Sequence, residues 1–276
     1  MSEIEVPSGK NETTENFPVE KLVSEKFRPH VMAFYTFARA ADDISDDELL
    51  SPEEKRARLD RLGAALMDEN DAEVECVLPL RASLKQTGVT PQHAHDLLTA
   101  FKRDTVQLRY NNWDDLLDYC RYSAAPVGRY LLDLHGEAKT AWPANDALCA
   151  VLQITNHLQD CADDYRTMDR VYIPLDMMDA FGASPTHLAG ERSSMALRRT
   201  MDAMLDRMDP MMALASTFPG QIKDRNLKID TAVIHEVAKC LIKILRSRDP
   251  LCDNVKLSKA QKLGCLIRGT LKSYLV

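Results

Sequence analysis

Apolar residues recur along most of this chain at the three- and four-residue spacing of a helix face, and strand-like alternation is nearly absent. The spacing predicts a helix from Arg28 to about Ser45, another from Ser51, and further helices over 72–86, 91–108, 113–135, 144–166, 193–214, 229–247 and 258–274. Pro29 stands where a first helical turn tolerates a missing N–H, and Ser51 followed by Glu54 has the form of a capping box. Breaks are expected at Thr87-Gly88, Gly136–Pro143, Pro174–Pro185 and Pro219-Gly220. Val171-Tyr172-Ile173-Pro174 is extended but short, and reads as a connector. Residues 1–15 read as a disordered leader. No linker is long enough to separate domains and no regular repeat is visible, so one all-α domain over 16–276 is expected.

Two helices carry more than a core pattern. In VMAFYTFARAADDISDD, residues 31–47, Tyr35, Arg39, Asp42 and Asp46 fall on a narrow arc at about 100° per residue. Val31, Phe34, Ala38 and Ala41 occupy the adjoining arc, so a polar stripe borders the apolar one, as on a helix that lines a cavity. Like charges four residues apart cost a helix about 0.2–0.5 kcal/mol. Anions near a helix C-terminus also oppose its dipole, by about 0.3–1 kcal/mol. A hard divalent cation on the carboxylate oxygens would offset both terms, and Mg²⁺ suits one or two carboxylates plus phosphate oxygens. A solvated acidic helix end explains this segment equally well when it is taken alone.

The pattern recurs in VLQITNHLQDCADDYR, residues 151–166, where Gln153, Asn156, Asp160 and Asp164 share one face beside an apolar flank that includes Val151, Leu152, Thr155 and Leu158. Two such helices favour a metal and diphosphate site over accident. His157 lies on the same arc and reads as a structural, hydrogen-bonded histidine. His93 and His95 stand at an exposed helix start. No Glu-x-x-His pair is present, which counts against a di-iron carboxylate bundle.

Composition narrows the class. Of 276 residues, 45% are hydrophobic, with only 10 Gly and 13 Pro, which favours helix. The 35 basic and 42 acidic residues leave a net charge of −7 without a basic patch, so nucleic acid is not an expected partner. The cysteines at 76, 120, 149, 161, 240, 252 and 265 are odd in number and form no Cys-x-x-Cys. They read as reduced thiols of a cytoplasmic protein. The acidic, polar start is no signal peptide, no apolar run approaches the ~18–20 residues of a membrane span, and no amphipathic anchor stands out.

FYTFARAADDISD and NHLQDCADDYRTMDRVYIP resemble the first and second aspartate motifs of the squalene/phytoene synthases, and YCRYSAAPVGRYLL between them resembles that family's mid-chain helix beside the substrate tunnel. The resemblance covers roughly residues 15–270. It implies an isoprenoid synthase helical bundle with a central substrate cavity, Mg²⁺ dependence and an isoprenoid diphosphate substrate. It assigns Asp42, Asp46, Asp160 and Asp164 to the metal. Tyr35, Arg39, Gln153, Asn156, Arg170 and Tyr172 match positions that hold the diphosphate or line its cleft, Tyr119 matches a tunnel tyrosine, and Phe17 matches an N-terminal aromatic. The usual Asn-x-x-Arg-Asp is here Asn156-His-Leu-Gln159-Asp160, with a neutral side chain where an arginine would meet diphosphate. ENFPV, RPHVMAFY and NHLQD together resemble one branch, the bacterial hydroxysqualene synthases of hopanoid pathways, which act on presqualene diphosphate. Cys240-Leu241-Ile242-Lys243 stands where the family often carries a late tyrosine, so no C-terminal catalytic tyrosine is expected.

The resemblance implies loss of diphosphate, rearrangement of the resulting cation and capture by water, with Tyr35, Tyr119 and Phe17 offering ring faces to the cation. No Gly-x-Gly-x-x-Gly is present, so no Rossmann nucleotide site for a reductant is expected. Very apolar substrate and product imply peripheral contact with the inner membrane and handover to other pathway enzymes. Tyr119, Tyr122, Ser123, Pro126 and Tyr130 share a face, either as tunnel wall or, for the outer tyrosines, as ordinary packing. Pro126 should kink its helix, and MDAMLDRMDPMM, 201–212, reads chiefly as core filling. Two rivals remain. One is a head-to-head condensing enzyme of the same family, and the other is a non-catalytic helical subunit that keeps the fold.

Overall fold

The structure, a computed structural model, describes residues 24–276. The 1–15 leader and Phe17 lie outside the described residues. Eleven α-helices are described: α1 (Arg28–Asp46), α2 (Pro52–Met67), α3 (Leu78–Thr87), α4 (Gln92–Asp104), α5 (Trp113–Ser123), α6 (Ala125–Leu134), α7 (Trp142–Met168), α8 (Leu175–Phe181), α9 (Met195–Ala215), α10 (Arg225–Ser247) and α11 (Lys259–Ser273). Among the described residues there is no strand, only an isolated parallel bridge between Arg109 and Val171. The chain divides into two units, one made of residues 24–107 with Pro126–Glu137, the other of Leu108–Ala125 with Ala138–Val276.

In the first unit, α1 buries Phe37 and Ile44 against α2, α3 and α4. Removing a buried phenylalanine of this kind costs about 3–5 kcal/mol. Pro29 sits in the first turn of α1 as expected. Ser51 and Glu54 form the capping box that starts α2, and Gly88 ends α3 in the left-handed conformation at φ 71°, which costs glycine little. Tyr130 of α6 stacks on Phe34 of α1 with ring centroids 4.1 Å apart. Its hydroxyl donates to the His30 carbonyl at 3.0 Å, so this outer tyrosine is packing. His93, expected at an exposed helix start, is instead buried, with Nε2 2.8 Å from Asp133.

In the second unit, α7 packs with α5, α9 and α10. The helix expected over 113–135 ends at Ser123 and restarts at Ala125, because Pro126 is accommodated in a new first turn rather than as a mid-helix kink. The short helix α8 falls inside the expected break Pro174–Pro185. It starts after Pro174 and stops at Gly182, φ 71°. Helix α10 begins four residues before its expected start at 229, because Asp224 caps it by accepting from Asn226 and Leu227 N–H groups, both at 3.0 Å. Met201, Met204 and Met208 are buried, so that segment fills core. Helix α11 turns Cys265, Gly269 and Ser273 inward against α10. A Cβ added at Gly269 would stand 2.5 Å from the Val233 Cα, closer than any real side chain could.

Candidate active site

The first aspartate motif occupies the last two turns of α1. Tyr35, Arg39, Asp42 and Asp46 are all half-buried while Phe34, Phe37, Ala41 and Ile44 are buried, so the polar stripe does border the apolar one. No basic residue stands in the last turn to oppose the carboxylates. Arg39, one turn back, does this instead. Its Nη1 lies 2.8 Å from Asp42 Oδ2, and its Nη2 donates to Asp43 Oδ1 at 2.9 Å. Burial works to lower the Arg39 pKa, but Asp42 and Asp43, with Tyr35, outweigh it and the guanidinium is held charged more firmly than usual. Its Nε is buried with no hydrogen-bond partner, which leaves a free donor one turn from the carboxylates. Asp43 lies outside the set of expected site residues, yet it is the more enclosed end of this fork, at 11% side-chain exposure against 32% for Asp42. Its i,i+4 spacing from Arg39 is the signal that could have found it.

The second motif sits on α7. Asn156 and Asp160 are exposed, and Gln153 and Asp164 are half-buried, on one face of a 27-residue helix. Two aspartates flanking Cys161 leave a mark there. Burial first, then Asp164 and, more weakly, Asp160 push that thiol up to about 12. His157 faces inward, stacked on Tyr172 at 3.5 Å and 12°. Burial, with Arg170 adding, pulls its pKa down to about 3, so it stays neutral. Its Nε2 has no hydrogen-bond partner, so the expectation of a hydrogen-bonded histidine is corrected to a stacked one.

Backbone hydrogen bonds fix the residues after α7. Asp169 takes the left-handed conformation at φ 52°. The Arg170 N–H then turns back to the Asp164 carbonyl at 3.1 Å. Val171 N–H donates to Leu108 at 2.9 Å, and Leu175 N–H to Tyr110 at 2.9 Å. This connector carries Arg170 and Tyr172 into a buried group with Tyr119 and Tyr110, the tyrosine rings lying 5.3–5.5 Å apart. Sequence reasoning misses Tyr110, because nothing in RYNNW marks it as inward-facing until the connector is in place. Gln159 Nε2 donates to the Val255 carbonyl, in the stretch between α10 and α11. The residue standing where the resemblance expects an arginine is therefore tied to the main chain. The late segment around Cys240 packs on α11, with Cys240 and Cys265 Sγ atoms 3.3 Å apart.

Among the described residues, no group of three or more His, Cys, Asp or Glu side chains is arranged to hold a metal ion. Each motif does supply two aspartates four residues apart. That set of hard oxygen donors fits Mg²⁺, which takes its remaining ligands from water or phosphate.

The model of the squalene/phytoene synthase family matches residues 11–261. The hydroxysqualene synthase of Rhodopseudomonas palustris is 45% identical over 254 residues, 92% of this chain and 87% of that one. The hydroxysqualene synthase of Zymomonas mobilis is 44% identical over 260 residues, 93% and 87% of the two chains. Among solved structures, a squalene synthase of Alicyclobacillus acidocaldarius superposes with a TM-score of 0.76 at 26% identity, covering 86% of this chain and 90% of its own.

Proposed function

This chain belongs to the squalene/phytoene synthase family, and we propose that its reaction is that of a hydroxysqualene synthase. It is an isoprenoid-synthesising enzyme with the all-helical fold of its family. In the proposed reaction presqualene diphosphate loses diphosphate, the cyclopropylcarbinyl cation rearranges, and water adds with loss of a proton to give hydroxysqualene. The observation that carries the assignment is identity of 44–45% to hydroxysqualene synthases over more than nine-tenths of the chain. The Gln159 side chain, committed to a main-chain carbonyl, agrees with it, because a condensing enzyme needs cationic partners for a second diphosphate.

Enzymes of this family typically depend on a divalent metal. We assign Asp42, Asp46, Asp160 and Asp164 as ligands of Mg²⁺, which when bound neutralises charge growing on the leaving diphosphate. Arg39 bridges Asp42 and Asp43, and its unpartnered Nε is a donor for a diphosphate oxygen. Gln153, Asn156 and Arg170 add donors to the diphosphate. Tyr35 and Tyr119 offer ring faces to the cation, each worth about 0.5–2 kcal/mol, Tyr172 lines the diphosphate cleft, and the apolar flanks of α1 and α7 keep bulk water out. Substrate and product are long apolar molecules, so the proposal includes work at a membrane surface of the cytoplasm and handover of product to following enzymes. No described helix is long and apolar enough to cross a membrane.

The decisive experiment supplies purified protein and Mg²⁺ with farnesyl diphosphate and, separately, presqualene diphosphate. Diphosphate release and hydroxysqualene from the second substrate alone is the expected result. Presqualene diphosphate, squalene or phytoene made from simple prenyl diphosphates overturns it.

A further inference from the structure

Helix α11 inverts the usual pattern of a surface helix. Its buried face is the small-residue row Cys265, Gly269 and Ser273, which the contact of Gly269 with Val233 draws against the α10 backbone. Its large apolar side chains face out. Leu263, Leu266, Ile267, Leu271, Tyr274 and Leu275 are exposed, Leu271 at 62% and Leu275 at 84%. At about 100° per residue the first five lie within one arc of roughly 140°, a continuous apolar stripe. Single exposed apolar residues are ordinary, but a contiguous row marks a contact surface.

Charge identifies the occupant. In a chain of net charge −7, residues 255–276 contain Lys256, Lys259, Lys262, Arg268 and Lys272 and no aspartate or glutamate. Lys262 borders the stripe on one side and Arg268 and Lys272 on the other. Arg268 and Lys272 also hold the helix down, Arg268 Nε donating to Glu236 at 3.2 Å and Lys272 Nζ lying 3.4 Å from His235 Nδ1. Lys256, Lys259 and Lys262 are exposed. Outward leucines flanked by lysines, with no acid among them, match a bilayer surface bearing anionic headgroups: apolar side chains enter the acyl boundary and ammonium groups meet the lipid charge. A self-association surface gains nothing from a row of like charges facing its own copy.

We propose that α11 is the membrane-docking face of this protein, laid in the plane of an anionic bilayer. The proposal names the surface for the membrane contact put forward above and stands apart from the choice of substrate. Full-length protein is sedimented with vesicles of phosphatidylcholine alone and with about 30% phosphatidylglycerol, at low and high salt. Binding to the anionic vesicles is expected, weakened by salt. Ile267→Asp with Leu271→Asp should abolish it, and Lys259→Glu with Lys262→Glu should weaken it by roughly tenfold or more. All four positions are exposed, and unchanged melting temperatures confirm that these variants fold. Presqualene diphosphate turnover in detergent reads the chemistry separately, and Ile267→Asp with Leu271→Asp should leave it unchanged. No sedimentation of the wild type with anionic vesicles overturns the proposal. So does binding that ignores lipid charge and these substitutions, or a wild-type dimer that Ile267→Asp and Leu271→Asp dissociate without any vesicle binding.

Discussion

Helices α1 and α7 carry the same Asp-x-x-x-Asp spacing but manage its charge in different ways. On α1 an arginine three residues before Asp42 and four before Asp43 bridges both carboxylates. On α7 no lysine or arginine stands three or four residues from Asp160 or Asp164, the adjacent Gln159 bonds a main-chain carbonyl, and the local field is negative enough to help hold a thiol at about 12. One motif is braced by its own helix. On the other, the connector that follows the helix returns a backbone hydrogen bond to the Asp164 carbonyl. Equal spacing in sequence therefore fixes where carboxylates point without fixing what steadies them.

The widest test of that contrast is removal of the carboxylates. Asp42→Ala and Asp160→Ala should each lower kcat by on the order of 10³-fold, about 4 kcal/mol, with helical circular dichroism unchanged. Full activity in either variant would break the pairing of the two motifs. Next comes the brace. Arg39→Met should cost roughly 10–100-fold in kcat, and Asp43→Asn a smaller part of that, because the fork then holds Asp42 by one prong. A loss confined to KM would instead make Arg39 a binding residue only.

Acid should separate the two helices next. His157 beside the second motif has a folded pKa of about 3, below the unfolded value near 6.5. Its contribution is therefore complete above about 6.5 and is lost as pH falls toward 3. Between pH 7 and pH 5 that loss is about 2 kcal/mol. His157→Phe keeps a ring on Tyr172 and should reduce the fall in melting temperature over that interval, while Arg39→Met should leave the pH slope as it was. The smallest effect is Gln159→Ala, about 1 kcal/mol of stability. It should appear as faster amide exchange near Val255 with turnover nearly intact.

Much of the second motif's surroundings is invisible in the linear pattern for a physical reason. The Asp, Gln and Asn positions repeat with the helical period, so they can be placed on a face without knowing the fold. Tyr110 and the partner of Gln159 belong to connectors, where no period operates and the neighbour is chosen by tertiary hydrogen bonds. Helix α8 is only seven residues between prolines, too short for a period to register. Helix α11 is legible as a helix, but which of its faces is covered depends on Gly269 meeting Val233, and a small-residue row does not announce itself as the inner one. Helix α1 is the clearest case, since first-turn proline, apolar face and polar stripe all agree.

The order in which the chain visits its two units bears on how the gene can be cut. The first unit is interrupted after Gln107 and resumes only at Pro126, and the second is interrupted after Ala125 and resumes at Ala138. A stop codon after residue 107 would leave Phe34 without the Tyr130 ring that covers it, and a fragment starting at residue 138 would lack the Leu108 and Tyr110 carbonyls that receive the connector after α7. Neither unit can be excised as one continuous stretch with its own packing intact, so recombination between relatives should succeed only when segments 108–125 and 126–137 travel with their distant partners.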